Sequence, residues 1–273
     1  MDIFTGRLPS GFCYIPQDNY IICNPQKTDY NYLYSDSATS CIIIVLIGTD
    51  KDEQPLVALT HLSRDVRYNA FFDLVRERFC GGIAVYAQGA NPPYPVEKKG
   101  AFSYDAIQNT VILTNWINDL IHIPNQDDVA SQHFITQCSL SLGTGDPNSG
   151  LGAYGINLDS TSSEYLKVSN KNFILTPDVR DPDGGLQTLF CIFGVKTNIE
   201  TLLLRQADTP FTPEEKTALV SVAKERNWER LCELSDEAIL DNYSTTPEYE
   251  PVWFCDNIRA SARYVRDFKE VTD

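Results

Sequence analysis

The chain has 273 residues, of which 42% are hydrophobic and 11% aromatic, and its net charge at pH 7 is −15. This composition is typical of a folded globular protein with one large domain or a domain with an appendage, and it excludes a disordered chain. The charge argues against nucleic-acid binding and against docking on an anionic membrane, because both depend on clustered Lys and Arg. It is compatible with a protein partner that has a basic surface.

The eight cysteines are spread along the chain without a Cys-x-x-Cys spacing. We therefore expect reduced, mostly buried thiols in a protein made in the cytosol, with neither a disulfide framework nor a zinc site, and we predict no metal and no cofactor. No basic start followed by an apolar core marks a signal peptide, and no apolar run approaches the roughly 20 residues that span a bilayer. An effector delivered into host cells would also lack a cleavable signal peptide.

Residues 1–40 are rich in turn formers, with one short strand predicted at residues 20–23. An unbroken apolar run at residues 42–47, rich in β-branched side chains and ended by Gly48, then predicts a strand buried on both faces. A polar turn follows, and a second apolar run at residues 56–59 leads to His61. Paired as a hairpin, these two strands would place Cys41 opposite His61.

A thiol beside an imidazole is the minimal equipment for cysteine nucleophilic catalysis. The thiolate is the attacking species, and a neighbouring histidine can take the thiol proton and return it to a leaving amine. The alternative is that Cys41 and His61 only pack in the core of a non-catalytic binding module, since a free cysteine at a strand start is commonly buried.

The next elements predict an α/β fold of the α+β type. An amphipathic helix is predicted from Ser63 to Phe79, with its four arginines on a solvated face, followed by a third core strand at residues 81–88. Prolines at residues 92–95 predict a loop, and the apolar spacing from residue 104 to 121 predicts a second helix. Further strands are predicted at residues 134–142, 153–158, 165–168, 173–175 and 186–195.

Two loops invite a ligand interpretation that their residues do not support. The glycine-rich loop at residues 143–150 lacks the Lys-Ser/Thr ending of a phosphate-binding loop. The Asp-rich stretch at residues 178–185 has the wrong spacing for a calcium loop, so we interpret it as a turn.

From about residue 197 the pattern is helical. Thr212 and Glu215 form a predicted capping box with Pro213 at the first helical position. The basic face of a helix at residues 256–268 is expected to pair with the protein's own carboxylates, with an acidic partner as the alternative. We predict a catalytic domain at residues 1–196 and a helical subdomain at residues 197–273. A chain ending near residue 198 is expected to retain a folded core.

The stretch Ala38-Thr39-Ser40-Cys41, followed by strand, turn, strand and His61, resembles the cysteine glutamine deamidases. This family includes the chemoreceptor deamidase CheD, the cytotoxic necrotizing factors and Burkholderia lethal factor. The segment Phe79-Cys80-Gly81-Gly82-Ile83-Ala84-Val85 is similar to a Phe-Gly-Gly-Ala strand of CheD. The resemblance covers roughly residues 15–165, as an order of elements more than as identity, and Thr39 replaces the family's glycine.

This resemblance implies a layered β-sheet core with flanking helices, extended here by the C-terminal helices. It implies that Cys41 attacks the side-chain amide of a protein glutamine, that His61 transfers the proton, and that glutamate and ammonia result. In the family a threonine six positions before the cysteine belongs to the site. In this chain that position is Ser35, and Asp36 and Thr39 are the alternative candidates for the third site residue.

The same resemblance implies an oxyanion site at the backbone N–H of Cys41 and a neighbour, supported by Thr39 and Ser40. The partner would be a protein that carries a target glutamine, and a bacterial effector or toxin would fit. Hydrolysis of a peptide or isopeptide bond, and transglutamination, are alternatives that use the same dyad. The oligomeric state stays open.

Overall fold

The computed structural model describes residues 3–4, 8–121, 133–143, 152–159, 168–169 and 172–269. The loop predicted at residues 143–150 lies outside these residues except at its first position. The strand predicted at residues 165–168 lies outside them except at its last position, and His122 lies outside them as well. Within the described part of the chain, no helix is long and apolar enough to cross a bilayer.

Strands predominate in the first two thirds of the described chain, with helices between groups of strands, and helices dominate the last third. The strands are β1 (Ile3–Phe4), β2 (Phe12–Tyr14), β3 (Asn19–Cys23), β4 (Tyr32–Ala38), β5 (Ile42–Thr49), β6 (Pro55–Leu62), β7 (Cys80–Gly89), β8 (Val96–Lys98), β9 (Ala101–Ser103), β10 (His133–Leu142), β11 (Gly152–Asn157), β12 (Val168–Ser169), β13 (Asn172–Phe173) and β14 (Arg205–Gln206). The helices are α1 (Asp65–Arg78), α2 (Asp105–Ile121), α3 (Pro177–Arg180), α4 (Leu186–Phe193), α5 (Pro213–Glu225), α6 (Asp236–Tyr243) and α7 (Phe254–Asp267).

Two mixed sheets carry the core. The larger has six strands in the order β10-β7-β5-β6-β3-β14, and the smaller has four in the order β12-β11-β4-β2. In the larger sheet β5 pairs antiparallel with both β6 and β7, whereas β10 runs parallel to β7 and β14 parallel to β3. The predicted α+β architecture with a layered sheet core and flanking helices is confirmed.

The side chains of β5 alternate between two buried layers. Ile42, Ile44 and Leu46 pack with the apolar residues of α1 and α2, while Ile43 and Val45 pack between the two sheets. Because successive side chains of a strand point to opposite faces, a strand covered on both sides needs an unbroken apolar run. The order of layers is therefore helices, six-stranded sheet and four-stranded sheet.

Three predicted elements are wrong in detail. The tyrosine-rich stretch placed among turns forms the start of β4, which is almost wholly buried. The strand predicted at residues 186–195 is wrong, because residues 186–193 form the helix α4. The N–H groups of Gln187 and Thr188, in its first turn, bond to the Asp181 carboxylate. The predicted turn at residues 178–185 begins inside the short helix α3.

The C-terminal helices share one hydrophobic cluster that begins at Leu186, before the division predicted between residues 196 and 197. That division stays a prediction. The capping box of Thr212 and Glu215 at the start of α5 is confirmed. Arg259 and Arg266 of α7 pair with Asp236 and Asp267, as expected for a basic face that meets the protein's own carboxylates.

Arg67 was predicted on a solvated face of α1, and this is wrong: its side chain is fully buried and forms an ion pair with the equally buried Asp18. Its guanidinium also donates to the backbone carbonyls of Phe190, Cys191 and Leu203. A guanidinium has five N–H donors. Four of those of Arg67 bond to acceptors in three segments that are distant in the chain: Asp18, residues 190–191 and Leu203. Arg67 therefore joins α1 to the C-terminal region.

We expect Arg67→Ala to lower the free energy of unfolding by about 3–5 kcal/mol, because it leaves the Asp18 carboxylate buried without its counter-charge. Asp73→Asn is the matched control on the same helix. It breaks the exposed pair with Arg76 and should cost at most about 1 kcal/mol. Urea denaturation of the two variants measures both values, and equal costs would contradict the structural role of Arg67.

Candidate functional site

The predicted pairing of Cys41 with His61 is wrong by two residues. In the hairpin Ile43 is the residue opposite His61, and Cys41 directly precedes β5. Cys41 and Ile43 are two positions apart and share one face, so Cys41 and His61 are diagonal neighbours on the same face. That face is covered by the four-stranded sheet.

The backbone that carries Cys41 is held by three hydrogen bonds. The carbonyl of Thr39 accepts from Asn91 N at 2.7 Å, that of Ser40 from Asn109 Nδ2 at 2.8 Å, and that of Cys41 from the backbone N of residue 90 at 2.8 Å. Because a trans peptide directs its N–H opposite to its C=O, the N–H of Cys41 points away from Asn109. Gly89 completes this packing, since a Cβ there would overlap the carbonyl oxygen of Cys41 and its φ is +132°.

His61 is held from the opposite sheet. Its Nδ1 lies 3.0 Å from Ser35 Oγ of β4, while its Nε2 has no hydrogen-bond partner among the described residues. Only 3% of His61 is exposed. Burial lowers the pKa of His61 to about 4, against a smaller opposing effect of the carboxylates of Asp18 and Asp36.

The Cys41 thiol is also buried, with 7% of the residue exposed. Burial raises its pKa well above that of a free thiol, and the charges of Asp18 and Glu250 act in the same direction. No hydrogen bond joins the Cys41 sulfur to either ring nitrogen of His61 in the described structure. Both effects favour the neutral forms, so the resting pair is a thiol and an uncharged imidazole.

The other predicted site residues occupy distinct positions. Asp36 is bound through both oxygens by Arg180, at 2.7 Å each. It forms no hydrogen bond with His61, whose Nδ1 pairs with Ser35 and whose Nε2 has no partner among the described residues. Thr39 lines the cavity beside Cys41. The hydroxyl of Ser40 lies 3.3 Å from that of Thr245.

Cys41 and His61 line a cavity of about 500 Å³ between the sheet core and the C-terminal region. One wall is formed by the core, including Ser63 and Asp105. The other is formed by α3, α4, the segment between α6 and α7, and the start of α7, including Trp253. Arg180 joins the walls, because its guanidinium bonds to Asp36 and lies 4.2 Å from the centre of the Trp253 ring.

Sequence reasoning missed this second wall. Arg180 and Asp181 stand in a stretch interpreted as a simple turn, and Glu250 and Trp253 stand in a region assigned to an appendage. No local pattern marks Arg180, because its role depends on the ion pair with Asp36, which lies 144 positions away in the chain. Within the described residues, no group of three or more His, Cys, Asp or Glu side chains could hold a metal ion.

The cysteines differ in exposure. The described cysteines are all free thiols, as expected. Cys138, predicted to be buried in a strand pattern, is exposed on β10, whereas Cys13 and Cys255 are buried.

Comparison with known protein families gives a match that falls on the cavity wall. Residues 220–272 match the sequence model of a family described as protein N-terminal asparagine amidohydrolase. No curated protein matches the chain. The matched segment includes Glu250, Trp253 and α7, and it supports a hydrolase of the protein-deamidase type that acts on the C–N bond of an amide. The chain is thus similar to protein deamidases in this segment, without a specific link to the CheD group.

Proposed function

We propose that the protein is a cysteine-dependent amidohydrolase that converts a carboxamide side chain of a protein to a carboxylate and releases ammonia. Cys41 is the nucleophile, His61 is the general base and then the general acid, and Ser35 is a positioning residue. The observation that carries the proposal is His61 Nε2, a buried nitrogen with no partner among the described residues, in the same cavity as the Cys41 thiol.

Ser35 sets the tautomer that this chemistry needs. A general base must present an unprotonated nitrogen, so Nδ1 carries the ring proton and donates it to Ser35 Oγ. The lone pair of Nε2 is then available to the thiol. In this role Ser35 does for His61 what the orienting third residue does in other nucleophile–histidine pairs.

In the first half of the reaction the Cys41 sulfur bonds to the carboxamide carbon while its proton passes to His61 Nε2. The amide oxygen becomes an oxyanion, which the backbone N–H of Cys41 can stabilise. The C–N bond then breaks, His61 returns the proton to the nitrogen, and ammonia leaves a thioester. The neutral resting pair suits proton transfer during attack, not a preformed thiolate.

In the second half, water attacks the thioester carbon and gives its proton to His61. The carbon–sulfur bond breaks, the sulfur takes a proton back, and the side chain leaves as a carboxylic acid. Cys41 and His61 are only 7% and 3% exposed, so the oxyanion would form in a water-poor environment, which strengthens its electrostatic stabilisation. Thr39 and Ser40 support the loop of Cys41 in this scheme.

Two substrates fit this chemistry. The resemblance of the residues around Cys41 to glutamine deamidases suggests a protein glutamine, and the name of the matched family suggests an asparagine at a protein N-terminus. Peptides that carry either residue, assayed for ammonia and for a mass gain of about one dalton, separate the two. Chain cleavage would indicate a protease, amine incorporation a transglutaminase, and inert peptides a binding module.

Cys41→Ala should abolish ammonia release. Cys13→Ala is a matched control, because both residues are 7% exposed and belong to the same hydrophobic cluster. Each change should cost about 1–2 kcal/mol of stability through lost burial, so turnover alone distinguishes them. Full activity of Cys41→Ala would remove the nucleophile from the proposal.

Ser35→Ala should lower kcat roughly 10- to 100-fold, because general acid–base catalysis depends on the orientation of the imidazole. Ser35→Thr keeps a hydroxyl at this position and should retain most of the activity. Kinetic assays measure kcat for both variants, and circular dichroism checks that each variant is folded. A Ser35→Ala enzyme as active as the wild type would show that the hydrogen bond to Nδ1 has no role in turnover.

The pH profile tests the state of His61. The base must be neutral, and its pKa of about 4 lies below the ordinary 6.5, so kcat/KM should hold from pH 7 down to about pH 5 and fall as His61 is protonated. The free energy of unfolding changes in the same direction. His61 has the higher pKa in the unfolded state, which therefore binds the proton more tightly, so stability declines as the pH falls from 6.5 towards 4. A loss of activity centred at pH 6.5 in folded protein would contradict the buried, neutral base.

A further inference from the structure

The cavity carries more negative than positive charge. The charged residues that line it are Arg64, Arg180, Asp36, Asp105, Asp181 and Glu250. Asp36 and Arg180 neutralise each other as a bidentate pair, and Arg64 is exposed. Three carboxylates are left against one cation, so the cavity favours a positively charged group over an anion.

Asp181 has one buried carboxylate oxygen that lacks a hydrogen-bond donor among the described residues. Its Oδ2 accepts from the backbone N–H groups of Gln187 at 3.1 Å and Thr188 at 3.4 Å, at the start of α4. Its Oδ1 is buried and has no hydrogen-bond partner among the described residues. Burial raises the pKa of this carboxyl, although the backbone N–H groups oppose the rise. A buried acceptor without a donor is costly and rare in folded proteins.

The other three acidic side chains that line the cavity accept hydrogen bonds. Asp105 accepts from the hydroxyl of Ser103 at 3.1 Å. Both oxygens of Asp36 are bound by Arg180. The Oε1 atom of Glu250 accepts from the hydroxyls of Ser244 at 2.5 Å and Thr246 at 3.4 Å. Asp181 is thus the carboxylate whose open oxygen can accept from a ligand.

The same cavity contains a second buried polar atom without a partner among the described residues, His61 Nε2. His61 is 3% exposed and its Nε2 has no partner in the described structure. In an N-terminal asparagine the α-amino nitrogen and the side-chain carboxamide carbon are only three bonds apart, roughly 3–4 Å. Asp181 lines the same cavity as Cys41 and His61, so an N-terminal asparagine whose carboxamide lies at that pair also brings its amino group into this cavity.

We propose that Asp181 Oδ1 accepts a hydrogen bond from the protonated α-amino group of the substrate, which makes Asp181 the residue that selects the N-terminal residue of a chain. The inference rests on the proposed function, since the amino group is placed relative to a carboxamide at Cys41. An internal residue has at this position an uncharged amide nitrogen that is bonded to the preceding residue, so it offers the carboxylate neither a charge nor a free amino group.

The test uses three peptides that differ only at their first residue: asparagine with a free amino group, the same residue without its amino group (a succinamoyl peptide), and N-acetylasparagine. The wild type should prefer the free amine over the succinamoyl peptide by at least about tenfold in kcat/KM, as expected for an enclosed charge pair. The succinamoyl peptide adds no bulk, so this ratio reports on charge, whereas the acetylated peptide also reports on space.

Asp181→Asn should bring that ratio close to one, by slowing the free-amine peptide and leaving the succinamoyl peptide nearly unchanged. Asparagine is isosteric and its side-chain oxygen can still accept from the start of α4, which preserves the fold. Asp183→Asn is the control: Asp183 pairs with Lys216 outside the cavity, and its loss should leave the ratio as in the wild type.

Binding of the same peptides to Cys41→Ala, and to Cys41→Ala with Asp181→Asn, measured by calorimetry, makes the result independent of turnover. Equal binding of the free-amine and succinamoyl peptides to Cys41→Ala would overturn the assignment. So would a ratio that survives Asp181→Asn, or one that is lost in Glu250→Gln and kept in Asp181→Asn. A binding preference that depends on Asp181, with no ammonia released by the wild type, would instead refute the proposed function and uphold Asp181 as the ammonium receptor.

Discussion

The buried ion pair between Asp18 and Arg67 is the constraint on which the arrangement of the site depends. The backbone N–H of Asp18 bonds to the carbonyl of His61, and its carboxylate accepts from the N–H and hydroxyl of Ser63. Arg67 extends this network to Phe190 and other carbonyls of the C-terminal region. A buried pair contributes little net stability when it is compared with apolar packing, but losing one partner is costly. Its role is therefore to hold β6, α1 and α4 in one fixed arrangement around the cavity.

A second buried ion pair, between Asp36 and Arg180, also joins the sheet core to the C-terminal wall of the cavity. Asp36 directly follows Ser35 on β4, and Arg180 fixes it with two parallel hydrogen bonds. The strand that presents a hydroxyl to His61 is thus tied to the wall that carries Asp181. Planar guanidinium–carboxylate pairs restrict orientation as well as distance. The two ion pairs together fix the positions of the His61 imidazole, the Ser35 hydroxyl and the acidic wall relative to one another.

The electrostatics of the cavity are consistent with the proposed chemistry. Burial disfavours the charged forms of both Cys41 and His61. The nearby carboxylates reinforce the neutral thiol, because a thiolate beside them would be repelled. A cationic substrate would reduce that repulsion as it binds. The same negative wall that favours an ammonium group would therefore also assist attack by sulfur, which links substrate selection to activation.

The sequence by itself determined the strand buried on both faces, the position of Cys41 at its start, the return to His61 and the capping box of α5. These features depend on the periodicity of side chains and on contacts within a few residues. Only the tertiary structure decided the two-residue offset of the pair, the burial of Arg67 and the helix α4, whose short apolar run is equally compatible with a strand. It also decided the contact of Ser35 with His61 and the cavity wall, because these arise when segments far apart in the chain are brought together by packing, and such contacts leave no local periodic signal.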